Sequence, residues 1–322
     1  MWRSLGHFDL DGNFRIDGVT GPDEYSAIAD NNIYTNMMAR RNLRGAAAAC
    51  ERYPERANEL GVPADEISSW RNAADHVVIP YDDKLGVHQQ SEGFTHHELW
   101  NFETTKGTQY PLMLHFPYVE LYRKQVVKQP DLILAMHVCY DSFTPEQRAR
   151  NFDYYERITV RDSSLSACTQ AVMAAEVGHL GLAFDYLGEA ALMDLHDLEH
   201  NTRDGVHIAS LAGAWVALVG GFAGLRHWDG TVSFAPRLPE GISRLAFNLL
   251  IRGQRLRVEI NHASARYLLE DGGPLDIVHH DKRVKLTAGK AQELPVPAIS
   301  PRPRPSQPPG REPIRRVSGN QG

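Results

Sequence analysis

No run of about 18 apolar residues occurs in the 322-residue chain, so nothing in it reads as a bilayer-spanning helix. The opening Met1-Trp2-Arg3-Ser4-Leu5 has no apolar core of the kind a secretory signal needs. Cysteine is scarce: Cys50, Cys139 and Cys168 are far apart, odd in number and set in apolar or helical patterns. That excludes a disulfide framework and a cysteine metal site, and the expectation is reduced, buried thiols in a cytoplasmic protein. Positive charge is also short. With 34 Lys and Arg against 40 Asp and Glu, the formal net charge is -6, and no basic field is available for nucleic acid. Phosphate and sugar partners survive this exclusion, because local groups recognise them. No cofactor is expected, and no metal. His96-His97 and His279-His280 lack a carboxylate at useful spacing, and neighbours on a strand face opposite ways. The glycines of Gly220-Gly221-Phe222-Ala223-Gly224 follow a helical pattern rather than a strand, the wrong context for a nucleotide loop.

What is present is enough apolar residue, 42% against 23% charged, for a substantial core. Three zones follow by composition. Residues 1–225 are mainly α, with helices predicted over 33–50, 64–77, 118–140, 145–156, 165–177, 180–194 and 208–219. Asn31 or Asn32 suits the cap of the first, and Thr144-Pro145 marks the start of the fourth. Residues 226–290 carry short segments rich in branched and aromatic side chains, punctuated by Gly253 and Asp271-Gly272-Gly273, which reads as a small antiparallel β-domain. Residues 291–322 are rich in Pro and Arg and are expected to be a disordered tail.

Four segments carry chemistry. Asp17-Gly18-Val19-Thr20-Gly21-Pro22-Asp23-Glu24-Tyr25 sets two carboxylates on a tight loop ahead of a helix, which suits proton donation to a leaving oxygen and equally suits a solvated acidic turn. Lys128-Gln129-Pro130-Asp131 lies in the apolar stretch from Val126 to Val138. Its Lys and Gln are either donors to sugar or phosphate, or a surface pair before a helix. Arg161-Asp162-Ser163-Ser164 precedes a helix, where hydroxyls and free backbone N–H groups would hold an anion or simply cap it. Gly205-Val206-His207 opens another helix, and His207 reads as structural. Trp100, near Glu92, His96 and His97, reads as core more readily than as a sugar platform.

Taken in order, these segments resemble glycoside hydrolase family 65, which includes the maltose, trehalose, kojibiose and nigerose phosphorylases. The matching text is Gly18 to Tyr25, Asn32 to Asn36, Lys128 to Asp131, Tyr154-Tyr155-Glu156, Asp162 to Ser166, Asp194-Leu195, Gly205 to Gly213, and Gly221 to Arg226. It spans roughly residues 10–285. The resemblance implies the second half of an (α/α)6 barrel, then a small β-sandwich. It implies an inverting phosphorylase in which Glu24 is the general acid, Lys128 and Gln129 hold glucose and phosphate, and Ser163 and Ser164 bind phosphate. The co-substrates would be a disaccharide and inorganic phosphate, the product β-glucose 1-phosphate. Relatives are commonly dimeric, so a homodimer is an expectation.

Two departures matter. Arg161 stands where the family usually has His, a permanent cation in place of a titratable one, and is expected to join Lys128 and the serine pair in binding phosphate. The family's N-terminal β-sandwich and first barrel half have no counterpart ahead of the acid motif, so the chain is expected to be a fragment or truncated product with exposed apolar faces, and inactive alone is one of its readings. The runner-up is an inverting hydrolase with Glu156 as base, against which the serine pair argues, since a hydrolase gains nothing from an oxyanion pocket there. A third reading is a non-catalytic remnant. The disaccharide linkage is not written in these residues.

Overall fold

The computed structural model describes residues 1–316 apart from Glu199, Asp229 and Pro301. By contact the described residues form two compact units, one of Met1–Asp162 with Ser306–Arg311 and one of Ser163–Pro305 with Glu312–Arg316. The first unit is built on helices α1 (Ile33–Arg52), α2 (Ala64–His76), α3 (Asp131–Val138) and α4 (Pro145–Glu156), joined by long loops. Helix α1 starts where Asn32 accepts a hydrogen bond from the Thr35 amide at 3.0 Å, one of the two expected caps. Its Ile33, Met37, Ala39, Leu43 and Ala47 are buried at helical spacing. With Phe14, Ile16, Ala73, Ala74 and Val77 from α2 and the first loops, Ala39 and Leu43 form one apolar cluster. A second joins Tyr25, Trp100, Leu112, Leu121, Val126 and Val160. Trp100 is therefore core, its ring edge-on to Phe116 at 4.9 Å.

Helix α4 begins as expected, with Thr144 and Gln147 bonding each other's backbone in a reciprocal cap. The helix expected over 118–140 is instead broken. A single turn at Tyr118–Leu121 gives way to Lys124–Gln125, which pairs in parallel with Glu98–Leu99, and α3 starts only after Pro130. Proline has no N–H to donate and biases Gln129 away from helical dihedrals, so the run is cut there.

The second unit opens with helices α5 (Ser166–Glu176), α6 (Leu180–Ala191) and α7 (Ile208–Val216), the last continuing as a π-helical turn over Ala217–Phe222. A Cβ at Gly213 would lie 2.4 Å from the Cys168 Cβ, so glycine sets the approach of α7 to α5. His207 is structural: its Nδ1 lies 2.6 Å from Asp194, which also accepts its amide. Eight strands follow: β1 (Arg226–Trp228), β2 (Thr231–Phe234), β3 (Arg244–Ile251), β4 (Gln254–Asn261), β5 (Ser264–Leu269), β6 (Leu275–His279), β7 (Lys282–Leu286) and β8 (Ala291–Pro295). They make two four-stranded sheets, ordered β8-β5-β4-β3 and β7-β6-β2-β1. Alternate residues such as Leu256, Val258 and Ile260 are buried. Tyr267 of one sheet meets Phe234 and His279 of the other, its hydroxyl 2.8 Å from His279 Nδ1. One expectation is corrected: β6 and β2 pair in parallel, so the domain is mixed rather than antiparallel.

The tail expected to be disordered from 291 on is ordered through the described residues. Ala291–Pro295 pairs with β5. Arg304 pairs with the buried Asp185 of α6, and Pro308 and Pro313 are buried. Proline fixes its own φ and lowers the entropy cost of holding an extended strap, while the arginines find carboxylates to neutralise. Residues 317–322 lie outside the described residues. The cysteines are free thiols, of which Cys139 is buried and Cys50 and Cys168 only half-buried, a correction to the expectation that all three are buried.

Candidate active site

The acid loop is a closed turn. Val19 and Ala29 exchange backbone hydrogen bonds of 3.0 and 2.8 Å across its neck, and Thr20 Oγ1 donates to the Ala27 carbonyl at 2.6 Å. Inside it, Asp23 and Tyr25 are fully buried, while the Glu24 side chain between them is 56% exposed. Glu24 therefore points outward from a loop whose neighbours are anchored inward. Its carboxylate is 2.5 Å from Lys128 Nζ, so two expected site residues meet directly. Gln129, the third, donates from Nε2 to the Pro22 carbonyl at 2.5 Å and so braces the loop itself.

Beneath the loop lies a network whose role the sequence reading did not assign. Asp131, the first residue of α3, accepts from the Asp23 amide at 2.6 Å and from Asn32 Nδ2 at 2.6 Å. Asp23 in turn accepts from the Lys128 amide at 2.9 Å and from Gln90 Nε2 at 2.7 Å. Gln90 closes the ring by accepting from the Asp131 amide at 2.9 Å. Burial raises the proton affinity of both carboxyls, Asp23 up to about 7 and Asp131 well above its ordinary value, the latter also through the nearby Asp23 charge. Donors to every carboxylate oxygen oppose that rise without cancelling it. The available signal was Asp131 itself, a carboxylate inside an otherwise apolar stretch.

On the other flank, the Tyr25 hydroxyl donates to Asp162, which also accepts from the Leu112 amide at 2.9 Å. Arg161 is buried, takes the left-handed conformation at φ 58°, and donates from Nη1 to the Arg311 carbonyl. Glu156, the alternative base, is 2% exposed at the end of α4 and accepts from Gln307 Nε2 at 2.7 Å. Ser163 and Ser164 are half-buried and belong to the second unit. Leu165 is the residue before α5 and makes no side-chain cap; Ser163 Oγ accepts from the Leu165 amide at 3.3 Å and its carbonyl from the Ser166 amide at 3.1 Å. The serines lie in the turn ahead of the helix. Among the described residues no group of three His, Cys, Asp or Glu side chains is arranged to hold a metal ion.

An exposed acid beside a lysine, on a loop of a mainly helical region followed by a small sheet domain, is an arrangement suited to glycosidic bond cleavage. Residues 1–216 match the model of the glycosyl hydrolase family 65 central catalytic domain, and residues 225–286 that family's C-terminal domain. The chain belongs to glycosyl hydrolase family 65. It is 58% identical over 319 residues to an uncharacterized glycosyl hydrolase of Mycobacterium leprae, covering 98% of this chain and 40% of the relative. It is 38% identical over 300 residues to an alpha,alpha-trehalose phosphorylase of Thermoanaerobacter brockii, covering 90% of this chain and 39% of the relative. Among solved structures it is similar to a candidate kojibiose phosphorylase from the human microbiome, with a TM-score of 0.81 and 26% identity over 91% of this chain and 41% of that one. The chain thus spans about 40% of the length of the curated relatives it matches.

Proposed function

We propose that this chain carries the acid-bearing part of an inverting phosphorylase that cleaves an α-glucosidic disaccharide with inorganic phosphate, giving β-glucose 1-phosphate and a free sugar. The observation that carries the reading is the contact between the exposed Glu24 and Lys128 above a buried, hydrogen-bonded pedestal. Glu24 protonates the glycosidic oxygen as the bond from that oxygen to the anomeric carbon breaks. A phosphate oxygen forms the new bond from the opposite face, and the proton that phosphate or solvent releases restores the acid. No carboxylate base is required, because phosphate is already nucleophilic once positioned. Lys128 serves twice in this reading. Without phosphate it bonds Glu24; a bound phosphate would compete for the same ammonium. The serine pair and Arg161 are the proposed further donors to phosphate. The half-barrel of the family, the cytoplasmic setting and a homodimer remain parts of this proposal.

The buried Glu156, already engaged by Gln307, does not favour the hydrolase alternative. The test follows glucose and glucose 1-phosphate from trehalose, maltose and kojibiose, with and without inorganic phosphate. Release that depends on phosphate supports the reading; release that ignores phosphate overturns it. Glu24→Gln should lower the phosphate-dependent rate by about 10²–10⁴-fold, the usual contribution of a general acid. Its melting temperature should change little, because the Glu24 carboxylate is more than half exposed and an ion pair with a solvated partner contributes little.

A further inference from the structure

The segment Ser306–Arg311 lies beyond both family-model matches, which end at residue 286, yet it belongs to the same compact unit as the acid loop. The match to the Mycobacterium leprae relative covers 98% of the chain and so omits only about six of 322 residues; residues 306–311 fall within it. The segment is held by a specific set of contacts. Arg311 Nη2 donates to Asp162 Oδ1 at 2.7 Å and its Nε to the Val160 carbonyl at 2.7 Å. The guanidinium lies 4.5 Å from the centroid of the Tyr110 ring. Its carbonyl receives the Arg161 side chain, Gln307 reaches Glu156, and Pro308 is buried.

The charge explains why this matters. The Asp162 side chain is 1% exposed, and a carboxylate that deep is unfavourable without a cation and full hydrogen bonding. Arg311 is the cation bonded to it. The other oxygen of Asp162 holds the Tyr25 hydroxyl and the Leu112 amide, and Tyr25 directly follows Glu24. We propose that Ser306–Arg311 is a clasp on the acid loop, with Arg311 a positioning residue that acts through Asp162 and Tyr25 to fix the direction of Glu24. The inference rests on the reading of Glu24 as the acid, but its central contacts do not.

The experiment compares the full chain with Arg311→Ala, Arg311→Lys, Tyr25→Phe and the double variant Tyr25→Phe/Arg311→Ala. Hydrogen exchange is read at the Leu112 amide and across residues 19–29, and phosphorolysis is followed against pH. Arg311→Ala should speed exchange at both places by about tenfold or more, as local opening becomes easier. Arg311→Lys keeps the charge but not the fork, and should fall between. Tyr25→Phe should release the loop by itself while Leu112 keeps its bond to Asp162, and adding Arg311→Ala should then change loop exchange by less than about twofold, because one path is being cut twice. In turnover, Arg311→Ala should lower kcat about tenfold with KM for phosphate within about threefold, and it should shift the pH–rate profile, which loss of folded protein, lowering kcat alone, would leave unmoved. Loop exchange that stays within about twofold of the parent in Arg311→Ala overturns the clasp whatever the turnover. If Arg311→Ala does not fold, Tyr25→Phe and Arg311→Lys decide by the same criterion. Exchange coupling in a chain that shows no phosphate-dependent turnover keeps the clasp and overturns the phosphorylase reading.

Discussion

Gly21→Ala tests the pedestal with one methyl group. A Cβ there would lie 2.1 Å from Asp131 Oδ2 and 2.4 Å from Asn32 Nδ2, the two atoms that hydrogen-bond each other at 2.6 Å. Neither can retreat cheaply. Asp131 is tied through its other oxygen to the Asp23 amide, and Asn32 through its carbonyl oxygen to the Thr35 amide that starts α1. Overpacking a rigid site costs about 1–3 kcal/mol, and breaking a hydrogen bond to a buried charge adds about 1.5–3 kcal/mol. The sum is about 2.5–6 kcal/mol in the first unit. At about 2–4 °C per kcal/mol for a unit of this size, the melting temperature should fall by about 5–24 °C. Gly45→Ala is the matched control. Gly45 is exposed within α1 with nothing within 4 Å of a new Cβ, so alanine there should stabilise by about 0.5–1 kcal/mol. Thermal melts by circular dichroism and urea titrations of the three chains give the answer. A Gly21→Ala chain melting within about 2 °C of the parent would refute the argument that Asp131 and Asn32 are held rigidly beneath the loop.

In the second unit, Glu176 is 2.8 Å from Arg226 and 3.4 Å from Arg237, and all three are largely buried. Glu176→Ala withdraws the carboxylate the two arginines share and should cost about 3–5 kcal/mol by urea titration, whereas exposed Glu59→Ala, which breaks the Arg56 pair, should cost under about 1 kcal/mol. The raised proton affinity of Asp23 fixes the sign of a pH effect. The folded chain binds a proton more readily than the unfolded one, so this contribution is complete below about pH 3.9 and is lost as pH rises toward about 7. Asp131→Asn, which removes the second carboxyl whose proton affinity burial raises, should flatten the fall in stability between about pH 4.5 and 7.5; an unchanged pH slope would refute the argument that these two buried carboxyls carry it.

The helices were legible where one signal governed them. In α1 the apolar spacing of Ile33, Met37 and Leu43, a capping asparagine and Pro54 beyond the end all agree, and the structure follows them. At 118–140 the apolar content suggested continuity, but Pro130 and the pairing of Lys124–Gln125 with Glu98–Leu99 override it. That pairing joins residues 26 apart, and nothing in a local window reports it. The tail failed for the same reason. Its composition is that of a chain unable to bury apolar surface, and it gains order through long-range ionic contacts, Arg304 with Asp185 and Arg311 with Asp162, whose partners lie more than a hundred residues away.

The site was legible in its residue types and not in its division of labour. Lys128 meets Glu24 as the motif suggested, but Gln129 turns to the Pro22 carbonyl, and the buried partners fall to residues given no role by the sequence. The logic becomes visible only with burial. Asp23 is drawn down by Gln90 and the Lys128 amide, and Tyr25 by Asp162, so the residue between them is left facing solvent. A side chain flanked by two such anchors has little backbone freedom, which is what a proton donor needs if its oxygen is to meet a glycosidic oxygen without a search. The anchors also separate the energetics. Stability resides in the buried side chains at 23, 131 and 162; in the proposed reading reactivity belongs to the exposed carboxylate at 24, so a substitution there should lower the phosphate-dependent rate by about 10²–10⁴-fold while leaving folding intact, whereas one at Asp131 should disturb both.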